Sequence, residues 1–261
     1  MGLEPLIISF LIMLGLAFGS FFNVVIYRLP ENKSLIPSSK CPSCDKAIPF
    51  WLNVPVLSWL LLRGKCRNCG MKIKFHYILV EIITPIVFLL VYNRFGDVSL
   101  FILIKYLIFF SYGIIIIFID LYHMRIPFKL SIPLIVIGFI TLFFPDNDIS
   151  LLRGLIGGAG SFVFFMLLMM SYYYLRKKEG LGFGDVLLIA AIGMFTGAMH
   201  LVFIILIASF LGVFVMTLVM KYGKNKLFPF GPFLVLASWI YLLWGYRLFD
   251  MYWNFIKYYS F

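Results

Sequence analysis

Residues 186–220 read VLLIAAIGMFTGAMHLVFIILIASFLGVFVMTLVM, 35 consecutive positions without a charged side chain. As one helix they would extend about 52 Å at a rise of 1.5 Å per residue, whereas the hydrocarbon core of a bilayer is about 30 Å thick. The stretch must therefore fold back, and Thr196-Gly197-Ala198 is the natural place. Two membrane-crossing helices in succession, with no charged side chain between them, define a polytopic membrane protein.

Further apolar runs lie on either side, at Pro5–Tyr27, Tyr77–Tyr92, Val98–Ile119, Leu130–Phe144, Leu151–Leu175 and Phe233–Phe249. The expected fold is all-α and polytopic, with about eight transmembrane helices and both termini outside. The first run has no positive stretch before it and no small-residue cleavage site after it, so it is read as a retained span rather than a signal peptide. Composition agrees: of 261 residues 63% are hydrophobic and 13% charged, with mean hydropathy +1.03. Globular chains are about half apolar and about a quarter charged. A soluble enzyme, a secreted disulfide domain and a disordered chain are all excluded. No repeat and no low-complexity tract stands out.

The net charge of +11 would suggest nucleic acid in a soluble protein. Here the cations follow topology, and no nucleic-acid partner is expected. Arg28, Lys33, Lys40, Lys46, Arg63, Lys65, Arg67, Lys72 and Lys74 crowd the segment between the first two spans, against Glu31 and Asp45 alone. The positive-inside rule puts that segment in the cytoplasm. Arg125 and Lys129, Arg176 to Lys178, and Lys221, Lys224 and Lys226 fall on the same side, while Glu4, Asp97, Asp146, Asp148 and Asp250 mark the outer links. Three segments result: residues 1–27 as the first span, 28–76 as a small cytoplasmic subdomain, and 77–261 as the main transmembrane domain.

All four cysteines lie in the cytoplasmic segment, as Cys41-Pro-Ser-Cys44 and Cys66-Arg-Asn-Cys69-Gly70. Each pair sets two thiolates on one tight turn, and two turns close a four-thiolate tetrahedron with no open position. This is the signature of structural zinc. A pair of disulfides is the alternative, opposed by the reducing cytosol; a redox dithiol is a third. Between the pairs, the apolar segment from Phe50 to Trp59 either lies on the membrane surface, docks on the spans, or forms the core of a small zinc-held subdomain.

A carboxylate within a membrane span is expensive and therefore a functional candidate. Asp120 ends one apolar run, Asp185 opens another after Gly180-Leu181-Gly182-Phe183-Gly184, and Glu81 sits one turn into the second span. The topology gathers all three toward the cytoplasmic face. Two carboxylates from different helices can share a proton, because like charges about 3 Å apart cannot both ionise. One then takes a proton from water while the other polarises a carbonyl, which is aspartic-protease chemistry. Gly182 and Gly184 would support such a site by close backbone approach. The plainer reading of either Asp alone is an interfacial helix cap. For Glu81 it is pairing with a nearby Lys or Arg. His76, His123 and His200 are scattered and suggest no second metal site.

The ordered combination goes further. Gly19-Ser20-Phe21-Phe22-Asn23-Val24-Val25-Ile26-Tyr27-Arg28-Leu29-Pro30, the tetracysteine loop with Asn53-Val54-Pro55-Val56-Leu57-Ser58-Trp59 and Arg63-Gly64-Lys65-Cys66, Leu79-Val80-Glu81, Ile119-Asp120 with Ile126-Pro127, Gly182-Phe183-Gly184-Asp185 and Pro229-Phe230-Gly231-Pro232-Phe233 follow one another along nearly the whole chain. This resembles the bacterial type IV prepilin peptidases, which cleave leader peptides and N-methylate the product. The resemblance implies that Asp120 and Asp185 are the catalytic pair of a Gly-x-Gly-Asp intramembrane aspartic protease, and that Cys41, Cys44, Cys66 and Cys69 bind zinc. It implies type IV prepilin or pseudopilin precursors as partners in the bacterial cytoplasmic (inner) membrane, cleaved after the glycine of a short basic leader. It also implies S-adenosylmethionine as methyl donor, with no residue assignable to it. Phe128, Leu187, His76 and Ile78 depart from the usual family pattern, which bears on substrate preference. The competing class is a non-enzymatic transporter or scaffold using these carboxylates as ion or proton sites. Acids gathered at one face rather than spread across the bilayer speak against it.

Overall fold

A computed structural model describes residues 4–36, 39–178, 180–221 and 229–245, with the side chain of Phe50 excepted. Lys224, Lys226 and the end of the last apolar run, Tyr246 to Phe249, lie outside the described residues. The described part is helical and contains no strand. Its helices are α1 (Glu4–Arg28), α2 (Leu57–Leu61), α3 (His76–Phe95), α4 (Leu100–His123), α5 (Phe128–Thr141), α6 (Leu151–Arg176), α7 (Phe183–Thr196), α8 (Ala198–Lys221) and α9 (Gly231–Gly245).

Among the described residues, α1, α3, α4, α6 and α8 are long and apolar enough to cross a membrane, and α5, α7 and α9 are shorter apolar helices. Eight spans were expected, and among the described residues five helices reach full span length beside three shorter ones. The reason is geometric: α7 has 14 residues and covers about 21 Å, less than the hydrocarbon thickness. The fold-back falls where expected, since α7 ends at Thr196, Gly197 adopts φ 78° and α8 begins at Ala198.

The chain forms two compact units, one of Met1–Val98 with Tyr106–Ile115 and the other of Ser99–Lys105 with Ile116–Phe261. In the first, α1 packs along α3 through Gly15 and Gly19. A Cβ at Gly15 would lie 2.5 Å from the Pro85 Cα, and one at Gly19 would lie 2.8 Å from the Glu81 Cα. Small residues four apart let helix backbones approach closely, which is how apolar helices associate where no hydrophobic drive exists between them.

In the second unit α7 is the hub, packed against α5, α6, α8 and α9, and every residue from Val186 to Thr196 is buried. A helix apolar on all faces belongs in such a position. Its Gly193 meets Gly157 in a π-helical turn of α6, Ile156–Gly160, and Phe195 packs over Gly138 of α5. Near the start of α4, the Lys105 ammonium is 1% exposed and pairs with Asp148 at 2.5 Å and Asn147 at 2.8 Å. The sequence reading gave Lys105 no role. An unaccompanied cation inside an apolar run was the available signal.

Candidate functional site

Asp120 lies in the last turn of α4, where the helix dipole disfavours a negative charge. It nevertheless does not snorkel outward, being only 4% exposed. The compensation comes from the start of α9, where the backbone amide of Gly231 interacts with the Asp120 carboxylate. A Cβ on Gly231 would collide with Asp120 Oδ2 and stand 2.9 Å from Ile126 Cδ1, so only glycine admits this approach. The Gly-Pro pair that opens α9 was visible in the sequence as a helix start. Its acceptor was not.

Asp185 occupies the first turn of α7, half-buried, three residues after the N-cap Gly182. Its own N–H donates to the Gly182 carbonyl at 3.0 Å, and its carboxylate interacts with the Gly182 backbone amide. It is thus the acidic N3 partner of a capping pair, not the N-cap itself. Gly184 has Ile126 against it, with a Cβ placed 3.0 Å from that side chain, and Phe128 meets Phe183 edge-on at 5.4 Å. Ile126 consequently touches the backbones on which both acids depend. The space beside Gly182 and Gly184 is taken up by the protein's own Asp185 and Ile126.

The carboxylate of Asp185 lies within electrostatic reach of Asp120. Each of these two partly desolvated carboxylates is met by one backbone amide, that of Gly231 for Asp120 and that of Gly182 for Asp185.

The first unit holds the thiols. Each Cys-x-x-Cys turn is closed in the same way: Cys41 N–H donates to Lys46 O at 3.0 Å and Cys66 N–H to Met71 O at 2.8 Å. An isolated bridge follows in each, Lys40 with Ala47 and Lys65 with Lys72. The residue after the second cysteine has positive φ in both, Asp45 at 56° and Gly70 at 71°. The four Sγ atoms lie within 4.8 Å of one another, all free thiols, with Cys41 and Cys69 3.7 Å apart. A tetrahedron with metal–sulfur bonds near 2.3 Å has edges of about 3.8 Å, so the set fits a metal ion. The amides of Cys69 and Asn68 hold the Cys66 thiol down to about 6, favouring the thiolate that metals bind. Among the described residues, no other group of three or more potential metal ligands occurs.

Glu81 departs from expectation. Its partner is no Lys or Arg; it accepts from the Val56 N–H at 2.7 Å, and Ser20 and Asn23 of α1 face its carboxylate. In the segment between the cysteine pairs, Trp51, Leu57, Leu60 and Leu61 point outward, the last 81% exposed. An apolar surface, not a buried core, is what this segment presents.

Fold and sites together define an integral membrane protein with a helix-borne carboxylate pair and a separate four-thiolate cluster. The family model described as Bacterial Peptidase A24 N-terminal domain matches residues 13–95, and that of the Type IV leader peptidase family matches residues 107–217. The chain belongs to the type IV leader peptidase family. It is 33% identical over 276 residues to a protein of Aeromonas hydrophila, covering 94% of this chain and 93% of that one. It is also 33% identical over 264 residues to one of Neisseria gonorrhoeae, covering 91% of each. A Myxococcus xanthus relative is 37% identical over 212 residues, which are 81% of this chain but 62% of the relative's length. All three are named prepilin leader peptidase/N-methyltransferase. No solved structure matches the chain.

Proposed function

We propose that the protein cleaves the leader of type IV prepilins or pseudopilins with Asp120 and Asp185, and then methylates the new N-terminus. The observation that carries the peptidase half is the nearness of these two acids, drawn from helices far apart in sequence, in one partly buried site beside Gly182, Ile126 and Gly231. In the reaction the ionised carboxylate takes a proton from water, the protonated one polarises the scissile carbonyl, and the water oxygen attacks the carbon. The proton then passes to the departing amine, so that the pair returns to one shared proton. The basic segments around residues 28–76 favour an orientation in the bacterial inner membrane with this site toward the cytoplasm, where a basic leader stays while the pilin helix lies in the bilayer.

The names of the relatives support the second activity. S-adenosylmethionine, when bound, supplies a methyl group carried on a sulfonium. Zinc fits the tetrahedral thiolate set of Cys41, Cys44, Cys66 and Cys69, and its part is structural because no coordination position stays open. Residues 28–76 then form a zinc-held subdomain, and the peptidase residues lie within 77–261.

The test is cleavage of a glycine-leader precursor by purified protein. Asp120→Asn and Asp185→Asn should each abolish it while leaving zinc content and melting temperature nearly unchanged. Substantial turnover by either variant would remove that residue from the active site.

A further inference from the structure

A cavity of about 500 Å³ lies within the first unit, between the last turns of α1, the first turns of α3 and the cysteine segment. That volume is typical of small-molecule sites. Its charge is one-sided. Arg28, Lys40, Lys46, Arg67, Lys72 and Lys74 contribute to the lining, and Glu81 is its one carboxylate, already engaged by the Val56 N–H at 2.7 Å. Cys41 and Cys66 also line the space, and even as thiolates they and Glu81 bring three negative charges against six positive. Such a lining selects an anion.

The rest of the wall is apolar, with Val24 of α1, Ile78 of α3, and Ile48, Leu52, Leu62 and Ile73 of the cysteine segment contributing to it. A bare inorganic anion gains nothing from that surface, whereas an anion carrying hydrocarbon does. Position agrees. α1 ends at Arg28 and α3 begins at His76, and both are long and apolar enough to cross a membrane, so the cavity stands at one membrane face, where lipid headgroups lie. The Val56–Glu81 hydrogen bond sets the depth: Glu81 is five residues past the start of α3, about 7.5 Å along its axis, and α2 begins one residue after Val56. On α2, Leu57, Leu60 and Leu61 are exposed. An apolar ridge thus adjoins a basic chamber at the level where the spans enter the bilayer, and basic pockets beside transmembrane helices are where anionic headgroups bind.

We infer that this cavity takes the phosphate headgroup of an anionic phospholipid, whose acyl chains leave along the ridge of Leu57, Leu60 and Leu61. The phosphodiester answers the lysines and arginines; the chains answer the apolar wall. Arg28 is held in place for the first role, because its guanidinium donates to the Ser34 and Leu35 carbonyls at 3.2 and 3.3 Å at the end of α1. A lipid so bound ties the cysteine segment to the bilayer. Neither peptidase nor methyl-transfer chemistry is needed for this binding.

Native mass spectrometry of full-length, zinc-loaded protein, titrated in detergent with dioleoyl phosphatidylglycerol or dioleoyl phosphatidylcholine, reads the binding directly. Wild-type protein should hold one phosphatidylglycerol at least about tenfold more tightly than phosphatidylcholine. Lys72→Gln combined with Lys74→Gln should weaken phosphatidylglycerol about tenfold and leave phosphatidylcholine unchanged. Lys177→Gln combined with Lys178→Gln removes the same charge just after α6, outside the cavity, and should change neither. No headgroup preference in the wild type, or a loss below about threefold in the cavity pair, would overturn the assignment. So would an equal loss in the pair after α6, which would mean diffuse attraction to charged lipid. If the cavity pair loses zinc, Val24→Trp decides alone: it fills the space from α1 without touching a charge, and unchanged phosphatidylglycerol affinity there overturns the assignment. Glycerol 3-phosphate, which has the phosphate but no acyl chain, should fail to displace the lipid at equal concentration. Displacement would make the occupant a soluble phosphate compound and overturn the lipid.

Discussion

The carboxylate site of the second unit and the thiolate site of the first are assembled in opposite ways. The four thiols come from two short turns of the same construction, each closed by local hydrogen bonds such as Gly70 N–H to Cys66 O at 3.0 Å. Local geometry sets the ligands, and the proposed zinc would join the two halves. Asp120 and Asp185 have no local link. They meet because α7 is buried on all sides and because α9 begins with a glycine that can sit against Asp120. With zinc bound as proposed, one site would depend on an ion and the other on the positions of helix backbones, and each should fail to a different insult.

The largest effect is expected from metal removal. Structural zinc contributes roughly 10–16 kcal/mol in isolated finger peptides, so Cys41→Ser should abolish zinc retention and open residues 39–74 to proteolysis. Limited proteolysis with elemental analysis would follow this, and precursor cleavage should persist in protein that remains in the membrane. Cleavage falling in step with zinc would break the separation between the sites.

The second unit has its own vulnerable point. Asp148→Asn strips Lys105 of its carboxylate and leaves a cation buried at 1% exposure. The loss expected is about 3–5 kcal/mol, with zinc content unchanged, read from denaturant unfolding in detergent. Lys105→Met combined with Asp148→Leu should recover most of it, since an apolar pair removes the unpaired charge altogether.

A sharper instrument is Gly231→Ala. The added methyl group must displace either Asp120 or the start of α9, and a displacement near 1 Å lowers rates about a hundredfold. Cleavage kinetics should show that loss, while donor binding stays at the wild-type level. Full activity would mean that the Gly231 amide does not hold Asp120 in place.

Leu61→Ser should matter least. The side chain is 81% exposed, so a stability change within about 0.5 kcal/mol is expected by thermal melting. A larger loss would show that the segment between the cysteine pairs is a core after all.

Much of this molecule is determined by properties its sequence carries locally. Apolar runs longer than a bilayer needs must cross it or fold back, because a backbone polar group in hydrocarbon has to bond within its own segment. Gly197 breaks the longest run, and its positive φ is the reason it can. Cys-x-x-Cys turns close through hydrogen bonds over five or six consecutive residues. Asp120 and Asp185 are conspicuous as carboxylates in apolar surroundings. What packing alone decided is who meets whom. That Gly231 faces Asp120, that Lys105 finds Asp148, and that Glu81 accepts the Val56 N–H beside Asn23 are pairings between positions far apart in the chain. Hydropathy and spacing measure each residue against its neighbours. A contact across helices is set by crossing angle, depth and the absence of a Cβ, and those exist only once the helices have packed.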